Sequence, residues 1–265
     1  TDLPIPVDYG KLVETDIAIF RPDSGLWAVR GITRVYFGSD TDTPTPKDYN
    51  GDGKADIGIF RPSSGLWAIR NVTRCYFGGS GDTVIPEDYD GDGDADIAIF
   101  RSASGLWAVR GITRAYFGGS ADTAVPADYS GSGTADIGVF RQSSGLWAVR
   151  GITRSYFGGG SDTPVPGDYT ADGSDDIGIF RSTSGLWAIR GVTRAYFGTV
   201  SDRPLPADYN RDGRADLAIF RVLTTPMPTP SISPSPMPPP PPPRYKTPPP
   251  PPTPPPTPAP TPPPP

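Results

Sequence analysis

The chain has 265 residues, 37 of them proline, and its 24 Lys and Arg against 29 Asp and Glu give a formal net charge of −5. A net acidic chain argues against a nucleic-acid backbone as partner, and no apolar run approaches the ~18 residues of a membrane span. The absence of histidine excludes histidine-based acid–base chemistry, His-ligated zinc and Ser-His-Asp triads.

Taken in chain order, the sequence opens at Thr1 within a repeat, as expected of a processed chain. Trp27, Trp67, Trp107, Trp147 and Trp187 then recur at a spacing of 40, each inside one sentence, such as SGLWAVRGITRAYFGG at 104–119. Self-similarity at that period marks a repeat architecture. Within a repeat, DIAIF alternates, with Ile97 and Ile99 on one face and Ala98 and Phe100 on the other. LWAVR is a second strand after a Ser-Gly turn, and TRAYFG is a third. DTAVPADY is a fourth, short strand whose proline suits an edge, where a ladder donor can be missing. Four short strands per ~40 residues make the blade of an all-β propeller. The half-repeat ending in DIAIF occurs six times and the LWAVR…YFG half five times. A five-bladed ring is therefore expected, with six blades the alternative. The spare strands either staple the ring or pair with a neighbouring chain, giving head-to-tail self-association.

Between the first strand of each repeat and DIAIF lies an acidic loop. Asp88, Asp90, Asp92 and Asp96 stand at positions 1, 3, 5 and 9, with the Asp94 carbonyl at 7 and Gly91 and Gly93 permitting a tight curl. Calcium takes six to eight oxygens at about 2.3–2.6 Å, and such a loop supplies most of them while losing its own repulsion. The same pattern places Asp48, Asn50, Asp52, Lys54 and Asp56 in the second loop, and Asp208, Asn210, Asp212, Arg214 and Asp216 in the sixth. Lys54 and Arg214 contribute there as carbonyls. The fifth offers Asp168, Asp172 and Asp176, the fourth keeps only Asp128 and Asp136 beside Ser130 and Ser132, and the first, DYGKLVETD, is expected to hold no metal. The other reading of all these loops is an ion-free Asx turn, its carboxylates capping backbone donors.

The stretch DYNGDGKADIGIFRPSSGLW at 48–67 resembles the FG-GAP/VCBS-type repeat of integrin α-chain propellers and of fungal and bacterial propeller lectins. The likeness runs over residues 1 to 221. It implies a propeller with calcium in its loops and an extracellular setting, and leaves the function open among adhesion, sugar binding and scaffolding.

Other repeated residues have two readings each. The tryptophans could stack on sugar rings, but an alternating strand makes them core; the Tyr of each DY and the Phe of each YFG are read as core as well. Arg21, Arg61, Arg101, Arg141, Arg181 and Arg221, with the Arg30 and Arg34 series, could hold acidic sugars or pair with Asp between blades. Asn71-Val72-Thr73 is an N-glycosylation sequon where other repeats carry glycine, so a positive φ is expected at Asn71. Cys75 stands alone and is read as a packed free thiol. No catalytic set emerges, and the chain is not expected to be an enzyme.

From Pro226 to Pro265 lie 25 of the prolines. Residues 1–223 thus form the propeller and 224–265 a polyproline II tail, about 120 Å long at ~3.1 Å per residue. Its Ser-Pro and Thr-Pro steps resemble the hydroxyproline-rich glycoproteins of plant and algal walls, the extensins and pherophorins. That likeness implies prolyl hydroxylation and O-linked glycans, with Thr229, Ser233, Ser235, Thr253, Thr257 and Thr261 as acceptors. The function expected from the sequence is an extracellular structural glycoprotein, propeller bead plus glycosylated rod, building a fibril or wall layer. The alternative is a carbohydrate-binding lectin or adhesin with the tail as stalk.

Overall fold

The computed structural model describes residues 1–10 and 14–222, so the tail and its expected glycan acceptors lie outside the described residues. Five four-stranded antiparallel sheets follow one another along the chain. Blade one is β1 (Leu3–Pro4), β2 (Ala18–Arg21), β3 (Leu26–Val29) and β4 (Thr33–Tyr36). Blade two is β5 (Thr43–Pro44), β6 (Gly58–Arg61), β7 (Leu66–Ile69) and β8 (Thr73–Tyr76). Blade three is β9 (Thr83–Val84), β10 (Ala98–Arg101), β11 (Leu106–Val109) and β12 (Thr113–Tyr116). Blade four is β13 (Thr123–Ala124), β14 (Gly138–Arg141), β15 (Leu146–Val149) and β16 (Thr153–Tyr156). Blade five is β17 (Thr163–Pro164), β18 (Gly178–Arg181), β19 (Leu186–Ile189) and β20 (Thr193–Tyr196). The sixth copy of the half-repeat adds a two-stranded sheet, β21 (Arg203–Pro204) with β22 (Ile219–Phe220).

The five blades expected from the tryptophan count are thus present, and the extra half-repeat closes the ring. The Ala55 N–H donates to the Asp8 carbonyl, Ala95 to Asp48, Ala135 to Asp88, Asp175 to Asp128 and Ala215 to Asp168. The sixth bond of this series runs from Thr15 back to Asp208 at 2.8 Å, joining the first loop to the last. An ion pair between Arg211 and Glu14 at 2.8 Å lies beside it. The edge position of the proline-bearing strands also has a local cause. Ile5 N–H bonds to the Ala18 carbonyl, so by antiparallel alternation the nitrogen of Pro4 faces away from β2 and no ladder bond is lost.

The core lies between blades. In each complete blade a Phe of the second strand meets the Trp of the third, as Phe140 meets Trp147 with ring centroids 5.0 Å apart. All five tryptophans are fully buried, and each indole N–H donates to a carbonyl ten residues on, as from Trp147 to Phe157 at 3.1 Å. This aromatic face packs on the aliphatic face of the next blade: Phe20 and Trp27 share a cluster with Ile59, Leu66 and Ala68. Alternation within DIAIF is what allows one strand to serve two neighbouring clusters, Ile99 facing back to Phe60 and Trp67, Phe100 facing forward to Val139 and Leu146. The tryptophans are therefore core and offer no face to a sugar.

Candidate ligand-binding grooves and acidic loops

Where one blade's outer strand ends against the next blade's aliphatic face, a groove opens. The one between blades three and four has a volume of about 540 Å³. It is lined by Val139 of β14 and Leu146 and Ala148 of β15, all largely buried in the inter-blade core, and by Phe117 and Gly118 of the preceding blade. Two arginines border it, Arg141 and Arg154. Blades two and three form the corresponding groove from Phe77, Ile99, Leu106, Ala108, Arg101 and Arg114, with Tyr76 at its border.

The two arginine series differ. Arg141 Nε and Nη2 donate to the two Asp122 oxygens at 2.7 and 2.9 Å, and the Asp122 side chain is fully buried. That ion pair, aided by the nearby Tyr156 phenol, raises the affinity of the guanidinium for its proton. The same bidentate grip joins Arg21 to Asp2, Arg61 to Asp42, Arg101 to Asp82, Arg181 to Asp162 and Arg221 to Asp202. The Arg–Asp pairing read from the sequence is present, within each blade rather than between blades. The Arg30 and Arg34 series, in contrast, stand exposed without a carboxylate partner among the described residues, which include every Asp and Glu of the chain.

One set of exposed residues was missed in the sequence reading. Tyr36, Tyr76, Tyr116, Tyr156 and Tyr196 are 71 to 76% exposed, and Tyr76 borders a groove. Their signal was present in TRAYFG, where Tyr shares a strand face with the Arg two positions before it, while Thr and the intervening small residue take the other face. The DY tyrosines do pack inward, Tyr9, Tyr49 and Tyr169 being buried and each donating its hydroxyl to a carbonyl four residues earlier. Burial raises the phenol of Tyr9 far above its usual range. The phenylalanines of YFG are half-buried, except Phe197, which is exposed because the sixth sheet lacks the strands that would cover it.

Five of the six acidic loops share one frame, in which the ninth-position carboxylate accepts the N–H of the DY tyrosine, as Asp96 does from Tyr89 at 2.9 Å. In the fourth, Asp136 accepts the Ser130 N–H instead. In the third loop, Asp88, Asp90 and Asp96 bring carboxylate oxygens within 4.8 Å of one another. Burial, then the charges of Asp90, Asp92 and Asp88, push the Asp96 carboxyl up to about 6 against the pull of that N–H. The Asp94 side chain reaches toward Gly51 of the second loop and is raised by desolvation and then by Asp92 and Asp48.

The remaining loops satisfy their acids differently. In the second, the Asn50 amide donates to both Asp56 oxygens at 3.0 and 2.8 Å, and Asp48 accepts the N–H groups of Asn50, Asp52 and Gly53. The sixth repeats this, with Asn210 on Asp216, Asp208 on the N–H groups of Asn210, Arg211 and Gly213, and Asp212 accepting from Arg214. Lys54 and Arg214 stand exposed. In the fifth, Asp168 accepts four consecutive backbone N–H groups, Thr170 to Gly173, and Asp172 accepts from Ser174. Asp176 accepts from Tyr169. Hydroxyls of Ser130, Ser132 and Thr134 form a chain in the fourth, where carboxylates are fewer. The third loop is thus the one in which three carboxylates converge among the described residues.

A separate cavity of about 480 Å³ is bounded by Lys47, Glu87, Asp128 and Asp175. Lys47 pairs with Glu87 at 2.7 Å, and Asp175, pushed up to about 6 by burial, accepts the Asp128 N–H. Asn71 has φ 64° and is exposed, so the sequon sits on a left-handed turn as expected. Cys75 is half-buried, and burial pushes its thiol up.

No family model and no curated protein matches the chain. A solved structure does: a lectin of Agrocybe aegerita, whose structure is described as the basis of specific recognition of non-reducing terminal N-acetylglucosamine. The TM-score is 0.56 at 18% identity, over 83% of this chain and 74% of that one. This likeness shows the fold. The propeller is one that a sugar-binding protein also uses.

Proposed function

We propose that the protein is a multivalent carbohydrate-binding propeller, a lectin or adhesin rather than an enzyme. The observation that carries this reading is the repeated inter-blade groove: an apolar lining of Val139, Leu146, Ala148 and Phe117 and a fixed Arg141. A pyranose has one apolar and one hydroxylated side, and a groove with an apolar lining and a few fixed donors suits both. The fold shared with a lectin of terminal N-acetylglucosamine supports the ligand class and makes that sugar the first to try. Repetition of a weak site around a ring raises avidity for branched or clustered glycans. The deciding experiment is a glycan array probed with the full chain, followed by calorimetry with N-acetylglucosamine; binding is expected, and failure of every glycan to bind would end the reading.

The structural-glycoprotein reading, with the tail as a glycosylated rod, draws on one other observation. Among the described residues the sixth sheet has two strands, and β22 has no third-strand partner there. An unpaired strand edge is a template for another chain, which favours head-to-tail self-association. Beads on a fibre in electron micrographs would support it, and a strictly monomeric chain at high concentration would remove it.

Calcium belongs to the same proposal at the third loop, whose converging Asp88, Asp90 and Asp96 fit a hard dication. The ion would cancel the mutual repulsion that raises Asp96 and would stiffen the loop leading into β10. Extracellular calcium, in the range where such modules bind at about 10⁻⁴–10⁻³ M, suits this setting.

A further inference from the structure

We infer that the glycan taken by these grooves is anionic, a polysaccharide bearing uronate or sulfate groups; the inference rests on the carbohydrate-binding reading and names its ligand class. The argument begins with the outermost strand of each blade. In β16, Arg154 pairs across the strands with Ala148, and Tyr156 with Leu146, so both side chains leave the same sheet face as those two groove-lining residues. The register repeats in β4, β8, β12 and β20, placing Arg34 with Tyr36, Arg74 with Tyr76, Arg114 with Tyr116 and Arg194 with Tyr196. Every one of these arginines and tyrosines is exposed.

The arginines are also free. Every Asp and Glu of the chain lies among the described residues, and none makes a salt bridge to Arg34, Arg74, Arg114, Arg154 or Arg194. This is unexpected in a chain of net charge −5 that pairs six other arginines bidentately with aspartates, five of them with fully buried side chains. A guanidinium left unpaired beside an exposed phenol ring offers a planar two-donor fork and a stacking surface side by side. Carboxylate or sulfate takes the fork, and the pyranose carrying it takes the ring. Arg154 also lines the groove with Arg141, whose charge is already balanced by Asp122, so the free arginine is the one able to meet a ligand anion. Five copies around one ring favour a polymer with regularly spaced charges over a single anion. The overall acidity of the chain disfavours a nucleic-acid strand as that polymer.

The test measures binding of the full chain to three immobilised probes: heparin for sulfate, polygalacturonate for carboxylate and a chitin oligosaccharide as neutral control. The anionic probes are expected to bind at 50 mM salt and to weaken by at least about tenfold at 500 mM, since bound Arg contacts release counterions. Replacing Arg34, Arg74, Arg114, Arg154 and Arg194 together by glutamine should weaken anionic binding at least about tenfold, and by much more than it weakens neutral binding. A smaller set, Arg114→Gln with Arg154→Gln, gives the same reading if the fivefold variant fails to fold. Binding of heparin without polygalacturonate assigns sulfate, and binding of both shows that carboxylate suffices. Binding of the neutral probe alone, anionic binding indifferent to the substitutions, or binding of none of the three overturns this inference, and the lectin reading then stands or falls by the glycan array.

Discussion

Asp162, with no exposed side-chain surface, is held by Arg181 through Nε and Nη2 at 2.7 and 2.8 Å, and also accepts the Gly159 N–H. The carboxylate thereby ties β18 to the loop that ends the preceding blade. Removing one partner of a fully buried pair costs about 3–5 kcal/mol, and the half-open Arg181 reduces that to about 2–3 kcal/mol for Asp162→Ala. Urea unfolding should show the loss as a lower midpoint at unchanged slope. A cost under about 0.5 kcal/mol would mean the pair is ornamental.

The equivalent pair in the sixth sheet sets a pH dependence. Hydrogen bonding from Arg221 and then the Thr199 N–H hold the Asp202 carboxyl down to about 2. A carboxylate depressed in the folded state contributes stability above its unfolded value, near 4, and loses it as pH falls toward 2. The stability gap between the parent and Asp202→Asn is therefore expected to be constant above about pH 5 and to narrow steadily below pH 4. Melting both proteins from pH 7 to pH 2 measures it, and a gap that widens in acid contradicts the assignment.

Phe140 and Trp147, 5.0 Å apart at 46°, join the aromatic core of blade four. Trp147→Ala should cost about 3–5 kcal/mol. Trp147→Phe keeps an aromatic ring but abandons the Phe157 carbonyl, so about 1–2 kcal/mol is expected. A Trp147→Phe cost near zero would show that the indole N–H contributes nothing.

That core was legible in the sequence because two-residue alternation assigns faces without knowing the neighbours: Ala98 and Phe100 went one way, Ile97 and Ile99 the other. Ring closure was not, because counting half-repeats cannot reveal that Thr15 bonds to Asp208. The exposed tyrosines were hidden for another reason. Whether the outward face of TRAYFG meets solvent or protein depends on how far the next blade extends, and no residue within the motif encodes that.

Asp90 separates the two readings of the acidic loops through opposite signs. It is exposed, it accepts a long hydrogen bond from the Asp92 N–H at 3.3 Å, and its charge is among those raising Asp96. Without calcium, Asp90→Ala should therefore leave the protein as stable as the parent or slightly more so at pH 7, because a repelling charge is gone. With calcium, the parent should gain about 2.7 kcal/mol once the ion exceeds its dissociation constant a hundredfold, and the variant far less. Thermal melts of both proteins in chelator and in calcium at about 10–100 mM, a hundredfold above such dissociation constants, give the four values required. Should the parent melt identically in both, the loop is an Asx turn that needs no ion, and Asp90→Ala would then show its small gain under every condition.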